Sequence, residues 1–249
     1  MNENLKKYKN IHKGKRVFLI GNGPSLSKTD LDLIKNEYSI GMCRIALIYD
    51  KTKWRPSYFV FASSNCQDKR WGKEWTDSVL KSSYEENTKS FIWEKYHKHF
   101  DPKNKLKNIE WVKNISEKKP NLNGDYDLSW WPENIEDRMD KSGTTMNLAL
   151  QLANYMGFSE IIFLGTDLGY SVQKNLNEDP NHFLGKYNAD ISPEKVNKIN
   201  SQMANVHRLA RMKIPKEIKM YNASLNSKLD VYPKICYETL MKKNKIKEI

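Results

Sequence analysis

Residues that could hold a phosphorylated ligand cluster near the N-terminus. Gly21, Asn22, Gly23, Pro24 and Ser25 follow a short apolar run and precede a segment with helical character. Glycines let a backbone turn sharply and approach a ligand closely, and N–H groups at a helix N-terminus favour phosphate. The loop lacks the full spacing of G-x-G-x-x-G and the Gly-Lys-Ser/Thr that closes a P-loop. A nucleotide-binding loop and an ordinary turn both remain open.

A second candidate is the segment Gly165, Thr166 and Asp167, which follows another continuous apolar run. In open parallel sheets, ligands bind beyond the carboxyl ends of the strands. Asp167 could therefore bind a ribose, hold a metal ion or cap the next turn. Capping requires the fewest assumptions, because Asp side chains commonly accept hydrogen bonds from nearby backbone N–H groups.

His182 is the histidine best placed for proton transfer. It lies in a polar loop between two regular elements, and an imidazole can accept a proton near neutral pH. Its neighbours Asn181 and Asp179 could each orient the ring, and a merely solvated loop histidine is the competing interpretation. The other four lie in the N-terminal arm, a lysine-rich stretch or a helical pattern: His12, His97, His99 and His207.

These candidates follow the predicted strands of an α/β fold. Apolar runs predict buried strands at 17–20, 38–42, 58–62 and 160–164, with a last strand near 218–221. Between them we predict helices at 26–36, behind Ser142 as N-cap with Gly157 after the last turn, and from Pro193. Strands that alternate with helices indicate a doubly wound parallel sheet. The strands at 17–20, 58–62 and 161–164 should be central.

Residues 68–140 show no comparable pattern. Polar and charged residues dominate, and six of the seven tryptophans are scattered among them. This composition predicts either a lid or insertion with aromatic surfaces, or a thin core anchored by the rings.

Length, charge and cysteine content restrict the class of protein. The 249 residues are 39% hydrophobic and 29% charged, which is typical of a folded, strongly solvated chain. No apolar run approaches the ~20 residues of a transmembrane helix, and no apolar stretch follows the basic N-terminus. The three separated cysteines suggest neither a disulfide framework nor a zinc site. We therefore expect a cytoplasmic protein.

The net charge of +12 is compatible with nucleic acid, an anionic membrane surface or a phosphorylated substrate. The basic residues are spread along the chain without a zinc-finger or RNP motif, so we expect no nucleic-acid partner. One local cluster, at Lys242, Lys243, Lys245 and Lys247, could hold the protein at the inner membrane face. A frayed soluble tail explains the cluster equally well.

The motifs, taken in order, resemble two related families. The set comprises Gly21 to Leu26, Ser142-Gly143 before a helix, the core Met-Gly-Phe-Ser-Glu-Ile-Ile-Phe-Leu-Gly-Thr-Asp ending at Asp167, and Asn181-His182. It resembles the family-42 bacterial sialyltransferases. It is also similar to the MptE-like family, formerly a domain of unknown function, which includes archaeal 6-hydroxymethylpterin diphosphokinases and parts of flagellin glycosyltransferases. The resemblance does not cover residues 68–140.

The resemblance implies a Rossmann-like sheet with a small lid, a CMP-activated nine-carbon or related acidic sugar as donor, and a cell-surface glycan as acceptor. Asn22 and its loop would contact the donor phosphate and ribose, and Ser142 and Gly143 would lie near the donor. Tyr170 would approach the phosphate, and His182 would be the catalytic base.

The chain departs from both families. Cys43 or Arg44 stands where the sialyltransferases carry an asparagine, and the tyrosine after Gly-x-Asp is displaced by one position. Many MptE-like members have a carboxylate after the third strand, where this chain has Asn65 close by. The missing acid weakens a metal-dependent kinase, and Asn65 could contact the nucleotide instead.

We therefore predict one α/β nucleotide-sugar-binding domain over residues 1–249, with a lid or insertion at 68–140. It would be an inverting glycosyltransferase that needs no essential metal or cofactor, with a nucleotide-sugar donor and a glycan acceptor as partners. The first alternative is a pyrophosphokinase similar to 6-hydroxymethylpterin diphosphokinase, using ATP and Mg²⁺, for which only Asp167 is well placed. The second is a non-catalytic nucleic-acid-binding module, motivated by the charge.

Overall fold

The computed structural model describes residues 2–62, 72–101, 103, 105–113, 131–140, 143–173, 179–184 and 192–245. Its strands are β1 (Arg16–Ile20), β2 (Ser39–Met42), β3 (Tyr58–Phe61), β4 (Lys89–Trp93), β5 (Ile109–Val112), β6 (Glu160–Leu164) and β7 (Lys219–Asn222). Its α-helices are α1 (Gly72–Ser83), α2 (His97–Phe100), α3 (Thr145–Tyr155), α4 (Pro193–Lys213) and α5 (Tyr237–Lys245). None of the helices in these ranges is long and apolar enough to cross a membrane.

The strands form one parallel sheet in the order β5-β4-β3-β2-β1-β6-β7. The chain builds outward from β1 to β5 and then returns to the other side of β1 with β6. This reversal makes the carboxyl ends of β1 and β6 the switch point of the sheet, where ligand crevices form in such folds. The predicted doubly wound α/β fold is confirmed.

The central strands are fully buried because both of their faces are apolar. Val17, Phe18, Leu19 and Ile20 of β1 are all 0% exposed, and α3 packs against the sheet over β1, β2 and β3. Continuous apolar runs of this kind are typical of parallel strands covered on both faces. The three runs predicted to be central are all interior strands.

The single helix predicted over 26–36 is wrong. Two short 3₁₀ segments, Pro24–Lys28 and Leu31–Ile34, occupy this stretch. Thr29 ends the first with an extended backbone, and the Asp30 side chain accepts a 3.0 Å hydrogen bond from Asp32 N to begin the second. Local side-chain capping therefore competes successfully with a continuous helix here.

The helix predicted behind Ser142 begins two residues later than expected. Thr144 is the N-cap of α3, and its side chain accepts a 3.4 Å hydrogen bond from Met146 N. Ser142 itself lies outside the described residues. Gly157 follows the helix with φ +82, a conformation that favours glycine, as predicted.

Part of the stretch 68–140 belongs to the sheet. It supplies β4 and β5, which extend the sheet beyond β3. On β5, the buried Glu110 ties down the N-terminal segment: it accepts hydrogen bonds from Asn4 (2.7 Å) and Tyr8 (2.9 Å) and pairs with Lys7 (2.8 Å) and Lys89 (3.0 Å). The single-domain organisation, and a lid in the rest of this stretch, stay predictions.

Candidate active site

A cavity of about 260 Å³ opens at the carboxyl ends of β1, β2 and β6. It is lined by residues 21–24 after β1, 42–43 at the end of β2, 144–146 at the start of α3 and 165–170 after β6. The segment 180–182, together with Met203, His207 and Leu229, completes the lining. Its position at the switch point is the one expected for a ligand site in this fold class.

Most of the residues predicted for the site meet in this cavity. Those in its lining are Gly21, Asn22, Gly23, Pro24, Gly165, Thr166, Asp167, Tyr170 and His182. Ser25 and Gly143 are not in the lining. Ser25 is buried behind the loop, and Gly143 adopts φ +89 beside the Val206 side chain of α4. Asn65 and Ser142 lie outside the described residues.

The glycines are required because two loops touch each other. A Cβ on Gly21 would stand 2.4 Å from the backbone oxygen of Gly165, and one on Gly23 would stand 2.5 Å from Asp167 Oδ2. Gly165 also has φ +61, in the left-handed region. The sequence suggested close approach to a ligand, but packing between the loops after β1 and β6 already accounts for all three glycines.

Asp167 fastens these two loops together. Its Oδ2 accepts a 2.7 Å hydrogen bond from Ser25 N, and its Oδ1 accepts one from Ser25 Oγ. On its other side, Ser227 Oγ donates to the Asp167 backbone oxygen at 2.9 Å. Burial raises the pKa of the Asp167 carboxyl, and the hydrogen bonds from Ser25 oppose that shift. Of the three roles that the sequence suggested for Asp167, the structure shows capping. The turn that Asp167 caps contains Ser25 and is distant in the chain.

The loop after β1 uses its own N–H groups inside the protein. Gly21 N donates to Leu164 O, Gly23 N to Gly165 O, and Ser25 N to Asp167. The prediction that this loop cradles phosphate with its N–H groups therefore does not hold for these three donors.

Asn22 is the residue of this loop whose side chain keeps unused bonding capacity. Its Nδ2 donates to Met42 O at 3.1 Å, whereas its buried Oδ1 has no hydrogen-bond partner among the described residues. Its backbone oxygen accepts a 3.1 Å hydrogen bond from Phe183 N, which ties the segment around His182 to the loop.

His182 is oriented by a buried carboxylate. Its Nδ1 lies 2.9 Å from Oδ2 of Asp179, whose side chain is 0% exposed. A carboxylate can only accept, so Nδ1 carries the proton and Nε2 is the basic nitrogen of the neutral ring. Asn181, the other candidate for this role, instead binds both backbone groups of Ser171, at 2.7 and 3.0 Å. The structure thus selects Asp179.

Tyr170 stands next to His182. Their ring centroids are 6.3 Å apart at an interplanar angle of 72°, and Asn200 of α4 binds both backbone groups of Tyr170, at 2.7 and 2.9 Å. Burial raises the pKa of the Tyr170 phenol, and the nearby Cys43, Asp179 and Asp167 add to that shift. The hydroxyl has no hydrogen-bond partner in the described part of the chain, and it keeps its proton at neutral pH.

The helix N-terminus that faces the cavity belongs to α3. Thr144, Thr145 and Met146 all line the cavity, so the positive end of the helix dipole is directed there. Cys43, whose φ is +55, reaches the same place, with Sγ 3.6 Å from Thr145 Oγ1. From sequence, a phosphate-binding helix N-terminus was predicted after Gly21 to Ser25, where the structure has a short 3₁₀ segment. The resemblance also placed Ser142 and Gly143, which precede α3, near the donor, and the start of α3 does line the cavity.

His207 was also missed. It lies in the buried stripe of α4, 5% exposed, and its Nδ1 is 3.2 Å from Tyr232 Oη. Burial lowers the pKa of His207 to about 4, so the ring is neutral at physiological pH. The sequence placed His207 only within a helical pattern, and the tertiary structure shows that it lines the cavity.

The cavity is polar but poor in charge. Among its described lining residues there is no lysine or arginine. In the same described ranges, no group of three or more His, Cys, Asp or Glu side chains is placed to hold a metal ion. The N-terminus of α3 contributes positive potential to the described site.

Comparison with known proteins gives structural matches only. No protein-family model matches the sequence, and a search of curated proteins found no significant match. The fold is similar to the MAf glycosyltransferase from Magnetospirillum magneticum AMB-1, with a TM-score of 0.55 and 13% identity over 99% of this chain and 40% of that chain. This chain therefore spans well under half the length of that protein.

Two further matches are structures of the sialyltransferase CstII, both in complex with CMP. One, from Campylobacter jejuni, has a TM-score of 0.48 and 15% identity over 90% of this chain and 85% of that chain. The other has a TM-score of 0.46 and 15% identity over 89% and 86%. At 13% identity, the match to the MAf glycosyltransferase establishes a shared fold type.

Proposed function

We propose that this protein is a glycosyltransferase that binds a nucleotide-sugar donor in the cavity and uses His182 as its general base. The observation that carries the proposal is the pair formed by His182 and the buried Asp179 in the lining of the cavity at the switch point of the sheet. The likeness in fold to the MAf glycosyltransferase supports the same class of reaction.

In the proposed reaction, His182 Nε2 takes the proton of an acceptor hydroxyl. The acceptor oxygen forms a bond to the anomeric carbon while the bond from that carbon to the donor phosphate breaks, and the electron pair leaves with the nucleotide. Asp179 stabilises the imidazolium that forms, because its carboxylate accepts from Nδ1. A positioned base of this kind contributes about 10²–10⁴-fold to the rate.

Two groups are placed to stabilise the departing phosphate. The Tyr170 hydroxyl retains its proton and can donate it in a hydrogen bond, and the N-terminus of α3 directs its dipole into the cavity. Asn22 lines the cavity, and its loop would contact the phosphate and ribose of the donor, as the sequence resemblance implies.

The nature of the donor follows from the sequence resemblance. We propose a CMP-activated sialic-acid-like sugar as donor, a cell-surface glycan as acceptor, and no essential metal. The chain would act as one domain in the cytoplasm. Exposed Lys242 on α5 and the basic residues after it would favour contact with an anionic membrane face.

Calorimetry tests the proposal directly. CMP, a UDP-sugar and ATP are titrated into the full chain, each with and without Mg²⁺. We expect CMP to bind in both conditions. Binding of ATP with Mg²⁺ and not of CMP would instead support the pyrophosphokinase. Binding of an oligonucleotide with steep salt dependence, without nucleotide binding, would support the nucleic-acid module.

Turnover of a CMP-activated sialic acid then tests the base. His182→Ala should lower kcat by about 10²–10⁴-fold and leave the affinity for CMP nearly unchanged, because the base contacts the acceptor. Asp50→Asn is the matched control, since Asp50 is 87% exposed on its side chain and should not affect turnover. A folded His182→Ala protein with more than about a tenth of the wild-type rate would contradict the role of His182.

A further inference from the structure

The α4 side of the cavity carries a polar atom that the proposed reaction does not use. His207 and Met203 lie one helical turn apart on α4, and both line the cavity together with Leu229. The ring of His207 is buried, its Nδ1 has Tyr232 as partner, and its Nε2 has no hydrogen-bond partner within the described residues. Nε2 is therefore the ring nitrogen that remains for a ligand in the cavity that His207 lines.

The protonation of the ring is fixed by Tyr232. The Tyr232 hydroxyl is 3.2 Å from Nδ1 and 3.5 Å from the backbone oxygen of His207, so the shorter contact is to the ring. A hydroxyl has a single proton, and we assign it to this shorter contact: Tyr232 donates to Nδ1, which places the single ring proton on Nε2. The tyrosine is 1% exposed and stacks on Phe163 of β6 with ring centroids 4.4 Å apart. Tyr232 is thus a rigid partner that holds the His207 ring in place.

An uncharged N–H donor among apolar side chains suits a particular kind of ligand atom. The side chains of Met203 and Leu229 offer apolar contact to a flat ring, and Nε2–H requires an acceptor in that ring's edge. A charged phosphate is better served by the N-terminus of α3. An exocyclic carbonyl oxygen of a pyrimidine meets both requirements and projects beyond the ring edge, whereas the acceptors of adenine are ring nitrogens that do not project.

We propose that His207 reads the nucleobase of the donor: Nε2–H donates a hydrogen bond to the exocyclic carbonyl oxygen of a pyrimidine that lies against Met203 and Leu229. The inference rests on the proposed function, because it assumes that a nucleotide occupies the cavity. It makes His207 a specificity-determining residue, separate from the proton transfer assigned to His182. Burial keeps the His207 ring neutral, so its Nε2–H group can donate the same hydrogen bond throughout the neutral pH range.

The test compares CMP and AMP binding by calorimetry in wild type, His207→Leu and His207→Gln. We expect the wild type to prefer CMP by at least about tenfold. His207→Leu should lose about tenfold in affinity for CMP, with AMP affinity unchanged. His207→Gln should keep most of the preference, because its amide N–H can replace the imidazole donor. Equal losses for CMP and AMP, or no loss for either, would overturn the inference.

His12 provides a matched control. It is a second buried histidine with a tyrosine partner, 2.6 Å from Tyr58 Oη, but it stacks on Phe158 and is absent from the cavity lining. His12→Phe should therefore leave the CMP-to-AMP preference intact. If His12→Phe abolished the preference as fully as His207→Leu does, general destabilisation would explain both, and the inference would fail.

An NMR measurement on the wild type covers the case in which His207→Leu does not fold. Addition of CMP should shift the Nε2–H signal of His207 downfield and leave the ring signals of His12 unmoved, and AMP should not produce the shift. Unchanged His207 signals in the CMP-bound protein would overturn the inference while the proposed function stands. A wild type that binds neither nucleotide would overturn the proposed function and this inference with it.

Discussion

Replacement of Asp179 by Asn gives the sharpest test of how the site works. The carboxylate is fully buried and accepts from Nδ1 of His182 at 2.9 Å, which leaves Nε2 unprotonated as a base. An asparagine of nearly the same shape can donate its amide N–H to Nδ1 instead. The ring proton then moves to Nε2, where it blocks the acceptance of another proton, and the imidazolium loses its counter-charge.

The expected decrease in kcat follows from the hydrogen bond that Asp179→Asn removes. A hydrogen bond between a charged group and its partner contributes about 1.5–3 kcal/mol. Lost only in the transition state, that amount lowers kcat by about 10- to 150-fold. KM for the donor should change little, because Asp179 acts through His182 and Asp179 itself is absent from the cavity lining. The assay is steady-state transfer from a CMP-activated sialic acid, with kcat and KM determined separately.

A double-mutant cycle separates positioning from a general structural effect. In the His182→Ala background, Asp179→Asn should have no further effect on kcat, because the ring that it orients is gone. Asp179→Glu would keep a carboxylate that can accept from His182 Nδ1 but would change the distance between the two groups. We therefore expect it to retain partial activity. If Asp179→Asn is folded and retains kcat within about threefold of wild type, the hydrogen bond is worth less than about 0.7 kcal/mol and the reasoning is refuted. An equal loss in both backgrounds would refute it as well.

Three predictions concern stability. Gly21→Ala should lower the free energy of unfolding by about 3 kcal/mol, because its Cβ would stand 2.4 Å from a backbone oxygen. Gly14→Ala, whose Cβ would meet nothing within 4 Å, should lower it by about 1 kcal/mol. Equal losses of stability in thermal unfolding would contradict the loop contact. Burial alone would raise the pKa of Glu110, but its hydrogen-bond partners outweigh burial and lower it from 4.5 to about 2. Glu110→Gln should therefore lower the free energy of unfolding by about 2 kcal/mol above pH 4.5, a value already reduced because Lys7 is exposed to solvent. In urea unfolding, this loss of stability should decrease toward pH 2. A loss that does not depend on pH would contradict the prediction. Burial lowers the pKa of His207 to about 4, so this residue should contribute a fall of about 3 kcal/mol in the free energy of unfolding between pH 6.5 and pH 4. The free energy of unfolding of His207→Phe should therefore decline less steeply with falling pH than that of the wild type. Identical slopes would contradict the lowered pKa of His207.

Much of the fold could be predicted from local patterns. Continuous apolar runs marked β1, β3 and β6 within a residue or two, because a strand buried on both faces leaves no place for polar side chains. The alternation of strands and helices indicated a parallel sheet, and the residues after β1 and β6 were expected to meet at its carboxyl edge. Strands β4 and β5 were not predicted, since the charged residues around them obscure two short apolar runs.

The site could be predicted only in part. The loops after β1 and β6 and the segment around His182 were predicted for the site, and all three line the cavity, because ligands in this fold class bind beyond strand ends. Met203, His207 and Leu229, which also line it, were not predicted. The roles within those segments were less accessible. The glycines serve loop packing, and Asp167 serves a turn near the other end of the chain.

The sequence by itself determined which strands are buried and which loops follow them, because burial and turn formation depend on residues close in the chain. Only the tertiary structure decided which groups share a hydrogen bond across the fold. Ser25 and Asp167 are 142 positions apart, and His207 and Tyr232 are 25 apart. Partnerships of this kind depend on how the sheet brings distant loops to one edge, and no local pattern encodes them. For the same reason, the structure alone showed that α4 adds a second histidine to the cavity.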